Sequence, residues 1–288
     1  MKEYVCWLVM LSGGFWLSRL RMLLNIIVIG VIALAAVGSV LVITKYTNLI
    51  PINMIETSGM AKMSNETVIN LPLPKFKIGK LTVEEAIAYR RSIREYVSKP
   101  ITLIQLSQLL WAAQGITNTR HGFRAAPSAG ATYPLEVYVV VKEGGVEGLP
   151  AGIYRYDPYT HLLRLIRKGD YSLELYRASL EQPWVKDAAV NIVITAVYER
   201  TTGRYGDRGV RYVHIEVGHV GQNIYLEATN LGLGTVTVGA FYDDEVSKIL
   251  GVGPDEHPLY IMPVDIPERQ YRVSEEEIQE FILRNRGD

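Results

Sequence analysis

Cysteine is all but missing from this chain: Cys6 is the single one in 288 residues. A disulfide framework, a zinc ribbon, an iron–sulfur cluster and a catalytic thiol in the body of the chain are thereby excluded. An excess of charge of either sign is also lacking. Thirty Lys and Arg balance 30 Asp and Glu, so the net charge is zero. No basic run interleaves with aromatics as a nucleic-acid groove requires, and nucleic acid is not an expected partner. Metal-ligand spacing is absent too. His214 and His219 are five apart and do not share a helix face. Glu216-x-x-His219 has the form of a di-iron motif without its second copy, so no metal is expected.

What is present at the N-terminus is an apolar run, Met22–Thr44, of 23 residues without one charge. A helix needs about 20 such residues to cross a membrane. The run continues through Val40–Ile43, well past Ala33-Leu34-Ala35, which is longer than a cleaved signal segment. The sequence predicts one transmembrane helix over 22–44 and a single-pass location in the cell membrane. Arg19 and Arg21 outweigh Lys45, which puts the following domain on the extracytoplasmic side. Residues 1–21 are left unassigned. Residues 45–75 read as a linker ending in Leu71-Pro72-Leu73-Pro74, and 76–288 as the globular domain.

Within that domain, Thr82 to Glu85 and Thr102 to Gln105 are capping boxes, each followed by apolar residues at helical spacing. Gly115 stops the second helix. Leu135–Val141 and Val190–Val197 are apolar, β-branched strands. Ile153–Tyr156 and Leu162–Ile166 flank Asp157-Pro158 as a hairpin. A helix is expected after Asp170, a long one over Tyr212–Leu231 closed by Gly232, and a short one near Asp243. Strands are expected over Thr235–Val238 and Leu259–Val264, and a last helix capped by Ser274. Helices and strands without strict alternation imply an α+β fold.

Three stretches have chemical character. Arg90-Arg91-Ser92-Ile93-Arg94 places three guanidiniums and a hydroxyl within five residues, a set suited to clamping a phosphate, though also to an ordinary basic helix end. Pro127-Ser128-Ala129-Gly130-Ala131-Thr132-Tyr133-Pro134 has side chains small enough for backbone to approach a flat ligand. It is not a serine-hydrolase elbow, because Ala126 stands where the first glycine belongs and a strand follows. Gly232-Leu233-Gly234 follows a helix rather than a strand, so it is a weak dinucleotide fingerprint and a better helix C-cap. Gly239-Ala240, at a strand end, can offer backbone N–H groups.

The order of these motifs, with Gly218-His219-x-x-Gln222-Asn223 in the long helix and Leu259–Val264 near the end, resembles the nitroreductase superfamily. The likeness is to its SagB-type, thiazole/oxazole-forming dehydrogenase branch and covers about Leu81 to Arg272. The resemblance implies a central, mostly antiparallel sheet flanked by helices, and an intertwined homodimer with FMN at the subunit interface. It places Arg90 and Ser92 on the FMN phosphate and ribityl chain and Arg94 at the pyrimidine edge, with Arg91 among the cofactor-binding residues. Pro127, Ser128, Ala129 and Gly130 would lie against the ring, Gly239 and Ala240 near N5, and Arg272 (or Arg269) at the phosphate. The long helix would form the dimer interface. Two departures stand out. Pro263-Val264-Asp265 replaces the usual Pro-Val-Gly. Arg204-Tyr205 stands where azoline-oxidising relatives carry Lys-Tyr, and Arg204 is a poor base, leaving Tyr205 as the candidate proton carrier.

The expected activity is that of an FMN-dependent oxidoreductase: ping-pong hydride transfer between NAD(P)H, or another reductant, and a small-molecule or peptide substrate. The alternatives are a peptide azoline dehydrogenase and a non-catalytic, membrane-tethered flavin-binding protein.

Overall fold

Three of the described helices begin where a side chain satisfies backbone donors that would otherwise have no partner. The computed structural model describes residues 67–287, which fall in one compact unit. Strand β1 (Val68–Asn70) is followed by α1 (Val83–Tyr89) and α2 (Leu103–Gln114). Thr82–Glu85 and Thr102–Gln105 each make the reciprocal pair of hydrogen bonds of a capping box. Next come a ribbon of β2 (Ile116–Asn118) and β3 (Phe123–Arg124), then β4 (Leu135–Val141), β5 (Gly152–Asp157) and β6 (Leu162–Lys168). Two short helices, α3 (Ser172–Ala178) and α4 (Pro183–Asp187), lead to β7 (Val190–Ala196). Helix α5 (Glu199–Tyr205) precedes the 23-residue α6 (Arg208–Asn230). Strand β8 (Gly234–Thr235), α7 (Asp243–Leu250), β9 (His257–Asp265) and α8 (Glu275–Arg286) complete the chain.

Seven strands form one antiparallel sheet in the order β1-β6-β5-β4-β7-β9-β8. Both its faces are covered, which explains why β4 and β7 read as continuous apolar runs instead of alternating. On one face Leu135, Val137 and Val139 of β4 pack with Leu106, Leu109 and Leu110 of α2 and Val213, Val217, Val220 and Ile224 of α6. On the other, Tyr138 and Val140 pack with Leu175 of α3, Val185 of α4, and Val246 and Leu250 of α7. The fold is thus a nitroreductase-like α+β sandwich with helices on either side of a central sheet, as the resemblance implies.

Several local readings are revised. The stretch read as linker contains β1, whose Val68, Ile69 and Asn70 pair with Arg164, Leu163 and Leu162 of β6. The long helix starts at Arg208, four residues earlier than expected. Strand β8 spans only Gly234–Thr235, and Val238 makes an isolated bridge to Ile261.

The membrane assignment is corrected. Among the described residues no helix is long and apolar enough to cross a membrane. Helix α6 has the length but carries Arg208, Arg211, Glu216 and Glu227, each costly to bury in lipid. The expected span Met22–Thr44 lies outside the described residues. The cell-membrane location with an extracytoplasmic domain is therefore set aside.

Candidate active site

The segment after α1 leaves the helix at Arg90, whose backbone is extended. It then runs beside β8: Ser92 bridges Thr235 in parallel, and the Ile93 N–H donates to the Thr235 carbonyl at 2.9 Å. Extended backbone sends successive side chains to opposite sides, and this divides the arginines. Arg90, Ser92 and Arg94 form one row. The Arg90 guanidinium lies 5.1 Å from the centre of the Tyr225 ring, Ser92 Oγ is 2.9 Å from Tyr225 Oη, and Arg94 lies 5.2 Å from the Trp184 ring. Arg91 points the other way, 3.7 Å from the Tyr271 ring. There it lines a cavity of about 30 Å³ with Arg269, Arg272, Tyr89 and Tyr225, so the Tyr225 side chain borders both groups. Arg272 stacks on Tyr89 at 4.5 Å and donates to Gln270. The three arginines are adjacent in sequence, but Arg91 has ring partners distinct from those of Arg90 and Arg94.

The hydroxyls of the row are linked to one another and to the backbone. Tyr225 Oη accepts from the Thr237 N–H at 2.9 Å and shares a hydrogen bond with Ser92 Oγ at 2.9 Å. Each hydroxyl can both donate and accept, so Ser92 keeps capacity for one more hydrogen bond to a ligand. Gly239 and Ala240 are exposed just beyond Val238, and the Ala240 carbonyl accepts from Gln182, two residues from Trp184. Among the described residues no carboxylate is ion-paired with Arg90, Arg91, Arg94 or Arg272. Unneutralised guanidiniums beside a serine hydroxyl and exposed backbone suit an anionic ligand with a polar chain.

The Pro127–Pro134 loop forms a second cluster. Its 3-10 turn (Ala129–Ala131) and the following residues contain three left-handed backbones: Gly130 (φ 60°), Ala131 (φ 54°) and Tyr133 (φ 45°). Helix α5 holds it from one side. Thr201 Oγ1 lies 2.8 Å from Thr132 Oγ1, Arg200 donates to the Tyr133 carbonyl, and Arg204 donates to the Gly130 carbonyl at 3.1 Å. A Cβ on Gly130 would stand 2.6 Å from the Tyr205 hydroxyl. The loop and the Arg204-Tyr205 pair, far apart in sequence, are therefore one site. Arg204 acts there as a carbonyl clamp. Pro127 is exposed at the edge of the loop.

Beneath the loop lies a residue that sequence reasoning passed over. Glu216, read only as half of a metal-like pair, is buried in the middle of α6, whereas His219 is exposed. Burial pushes its carboxyl up to about 7; Ser128, the Arg124 charge and Gln114 pull the other way. A second buried acid, Asp265, closes β9. Burial raises it to about 6, against the Ile266 and Ala189 N–H groups and the Lys142 charge. No local pattern marks either as buried, since each is covered by distant segments.

The two clusters lean on the same helix, one at Glu216 and the other at Tyr225, about 13 Å apart along the axis at ~1.5 Å per residue.

Comparison with known proteins agrees with the fold. Residues 87–264 match the model of the Nitroreductase family. A protein of Methanocaldococcus jannaschii that carries a nitroreductase name is 50% identical over 202 residues, spanning 70% of this chain and 98% of that one. The crystal structure of a nitroreductase-designated protein from Ralstonia eutropha superposes with a TM-score of 0.62 at 30% identity, covering 70% of this chain and 90% of that one. A trifolitoxin-processing protein of Rhizobium leguminosarum is 33% identical over 138 residues, 46% of this chain and 37% of that one, so relatives in peptide processing are included, the branch that the motifs resemble. The chain belongs to the nitroreductase family of oxidoreductases.

Proposed function

We propose that this chain is an FMN-dependent oxidoreductase, active as a homodimer, in which two substrates take turns at one flavin face. The observation that carries the reading is the row Arg90, Ser92 and Arg94, free of carboxylate partners and backed by Tyr225. Its charge and donors fit a phosphate and polyol chain, and the exposed backbone at Gly239-Ala240 fits the edge of a planar ring. FMN, when bound, supplies the hydride-accepting ring. The protein's part is to hold and to bias it. Arg90 and Ser92 would bind the phosphate and ribityl hydroxyls. Arg94, a fixed positive charge, would favour the state with more negative charge on the pyrimidine side. Arg91 and Arg272 belong to the neighbouring group and would add charge at longer range.

Geometry of the same kind supports the dimer. Among the described residues no hydrogen bond, ion pair or ring contact joins the Ser128–Gly130 loop to the arginine row. A second copy is the economical way to bring a loop to each row. The outward face of α6 carries Arg211, Ile215, Gly218 and Gln222, all exposed, and a Cβ on Gly218 would touch nothing. A small residue in such a face permits close approach of a partner helix. Tyr205, held against the loop, is the candidate to pass a proton to the substrate. Arg204 is engaged with the Gly130 carbonyl and a guanidinium is a poor base, which speaks against a Lys-Tyr type proton abstraction.

A second reading, oxidation of azolines in a modified peptide, is favoured by the similarity to the trifolitoxin-processing protein. The deciding experiment starts with the purified full chain. It should be yellow and release stoichiometric FMN on denaturation. Anaerobic addition of NADPH or NADH should bleach the visible flavin band, and a nitroaromatic or quinone should restore it. A colourless protein that takes up no added FMN sinks the proposal. A flavin that no nicotinamide reduces leaves a binding protein, and reoxidation by a thiazoline peptide alone selects the second reading.

A further inference from the structure

Two of the three left-handed residues in the Ser128–Tyr133 loop, Ala131 and Tyr133, are not glycine. Such backbones persist only where neighbours over-determine them. Part of the restraint comes from α5, as described above. The rest comes from below. The Tyr133 N–H donates to Ser128 Oγ at 2.9 Å, and the Arg124 N–H donates to the Tyr133 hydroxyl at 3.1 Å. Ser128 Oγ is thus occupied as an acceptor, and its own proton needs a destination. The carboxyl of Glu216 is beside it. Gln114, also buried, receives the Arg124 guanidinium at 3.3 Å on its carbonyl oxygen. Three buried polar atoms in this one cluster, Glu216 Oε1, Gln114 Nε2 and Arg124 Nε, have no hydrogen-bond partner. A cluster carrying that much unmet polarity in a helix packed into the core is costly to keep. Its retention calls for a role that leucine cannot fill.

We infer that Glu216 is the positioning residue of the Ser128–Tyr133 loop: its carboxylate offers an acceptor to the Ser128 O–H, and Ser128, oriented in this way, holds the Tyr133 amide and the left-handed turn. Gln114 and Arg124 wall the carboxyl in. The inference rests on the proposed function only in that this loop is the surface against which a flavin would lie. Glu216 touches no ligand itself and acts through Ser128.

The test is amide hydrogen exchange over residues 129–134 of the full chain, without added flavin, in the wild type, E216L, E216Q, S128A and the E216L/S128A double variant. Leucine fills the space but accepts no proton; glutamine keeps an acceptor oxygen. In E216L and S128A the loop amides should exchange roughly ten-fold faster, the size of one lost hydrogen bond. Exchange in the core strand Val190–Ala196 should be unchanged. E216Q should stay within about three-fold of the wild type, and the double variant should be no worse than either single one. FMN affinity, where the chain binds it, should fall in the same order. Loop amides that exchange in E216L as in the wild type overturn the inference. So does acceleration spread over the whole chain in E216L while S128A changes nothing. A wild-type chain that takes up no flavin removes the proposed function, yet the exchange pattern still decides this one.

Discussion

Replacing Asp265 by Asn tests whether an acid is in fact held without solvent at the end of β9. The side chain is 1% exposed. Its Oδ1 accepts the Ile266 N–H at 2.6 Å, while Oδ2 has no partner. Burial lifts its pKa from 3.8 to about 6. Below about pH 4 the group is protonated in both folded and unfolded chains and contributes no pH dependence. Between about pH 4 and 6 the folded chain retains a proton that the unfolded chain has lost, so stability falls as pH rises. Above about pH 6 the penalty is constant. A shift near two units, at about 1.4 kcal/mol each, sets its ceiling at about 3 kcal/mol. Relaxation and water entry lower it, and a gain of about 1–3 kcal/mol is expected for the uncharged variant. Asparagine keeps the acceptor for Ile266. In urea unfolding followed by tryptophan fluorescence, at one fixed protein concentration, D265N should exceed the wild type by that amount at pH 8. At pH 4 the two should coincide. An equal difference at both pH values, or a less stable variant at pH 8, would refute the buried-acid account.

Three further outcomes are expected. Arg90→Ala should raise the FMN dissociation constant by about 10- to 100-fold, since a charge-assisted hydrogen bond is worth about 1.5–3 kcal/mol; fluorescence quenching titration measures it, and unchanged affinity shifts the clamp to Arg91 and Arg272. Gly234→Ala would set a Cβ 2.7 Å from Ile93 Cγ2 and 3.1 Å from Pro267 Cβ. Such overpacking costs about 1–3 kcal/mol and should displace the arginine segment, so thermal melting should move down and flavin retention should drop together. Light scattering should give a dimer mass, and Gly218→Trp on the outward face of α6 should reduce it to that of a monomer; a flavin-retaining monomeric wild type would contradict the shared site.

Much of the architecture was legible because its causes are local. The boxes at Thr82, Thr102 and Ser274 each close within four residues, and β-branched runs such as Leu135–Val141 and Val190–Ala196 have few conformations to choose between. The motif order was enough to indicate the family. The elements that were missed depend on partners far away. Strand β1 is three residues that have meaning only beside Leu162–Arg164 of β6. Helix α5 has no apolar stripe in Glu-Arg-Thr-Thr-Gly-Arg-Tyr, and it is held in place by the buried Thr201 against Thr132.

The site followed the same division. Sequence alone supplied the residue types, arginines and hydroxyls in one segment and small residues in another. It could not divide Arg90 and Arg94 from Arg91, because the side each occupies was decided when Thr235 took the Ile93 N–H and made that segment extended. Nor could it separate Glu216 from the exposed His219 three residues on. A helix gives every residue the same backbone. Which face goes dark is decided by what packs on it, and for Glu216 that is a loop and a ribbon nearly a hundred residues away.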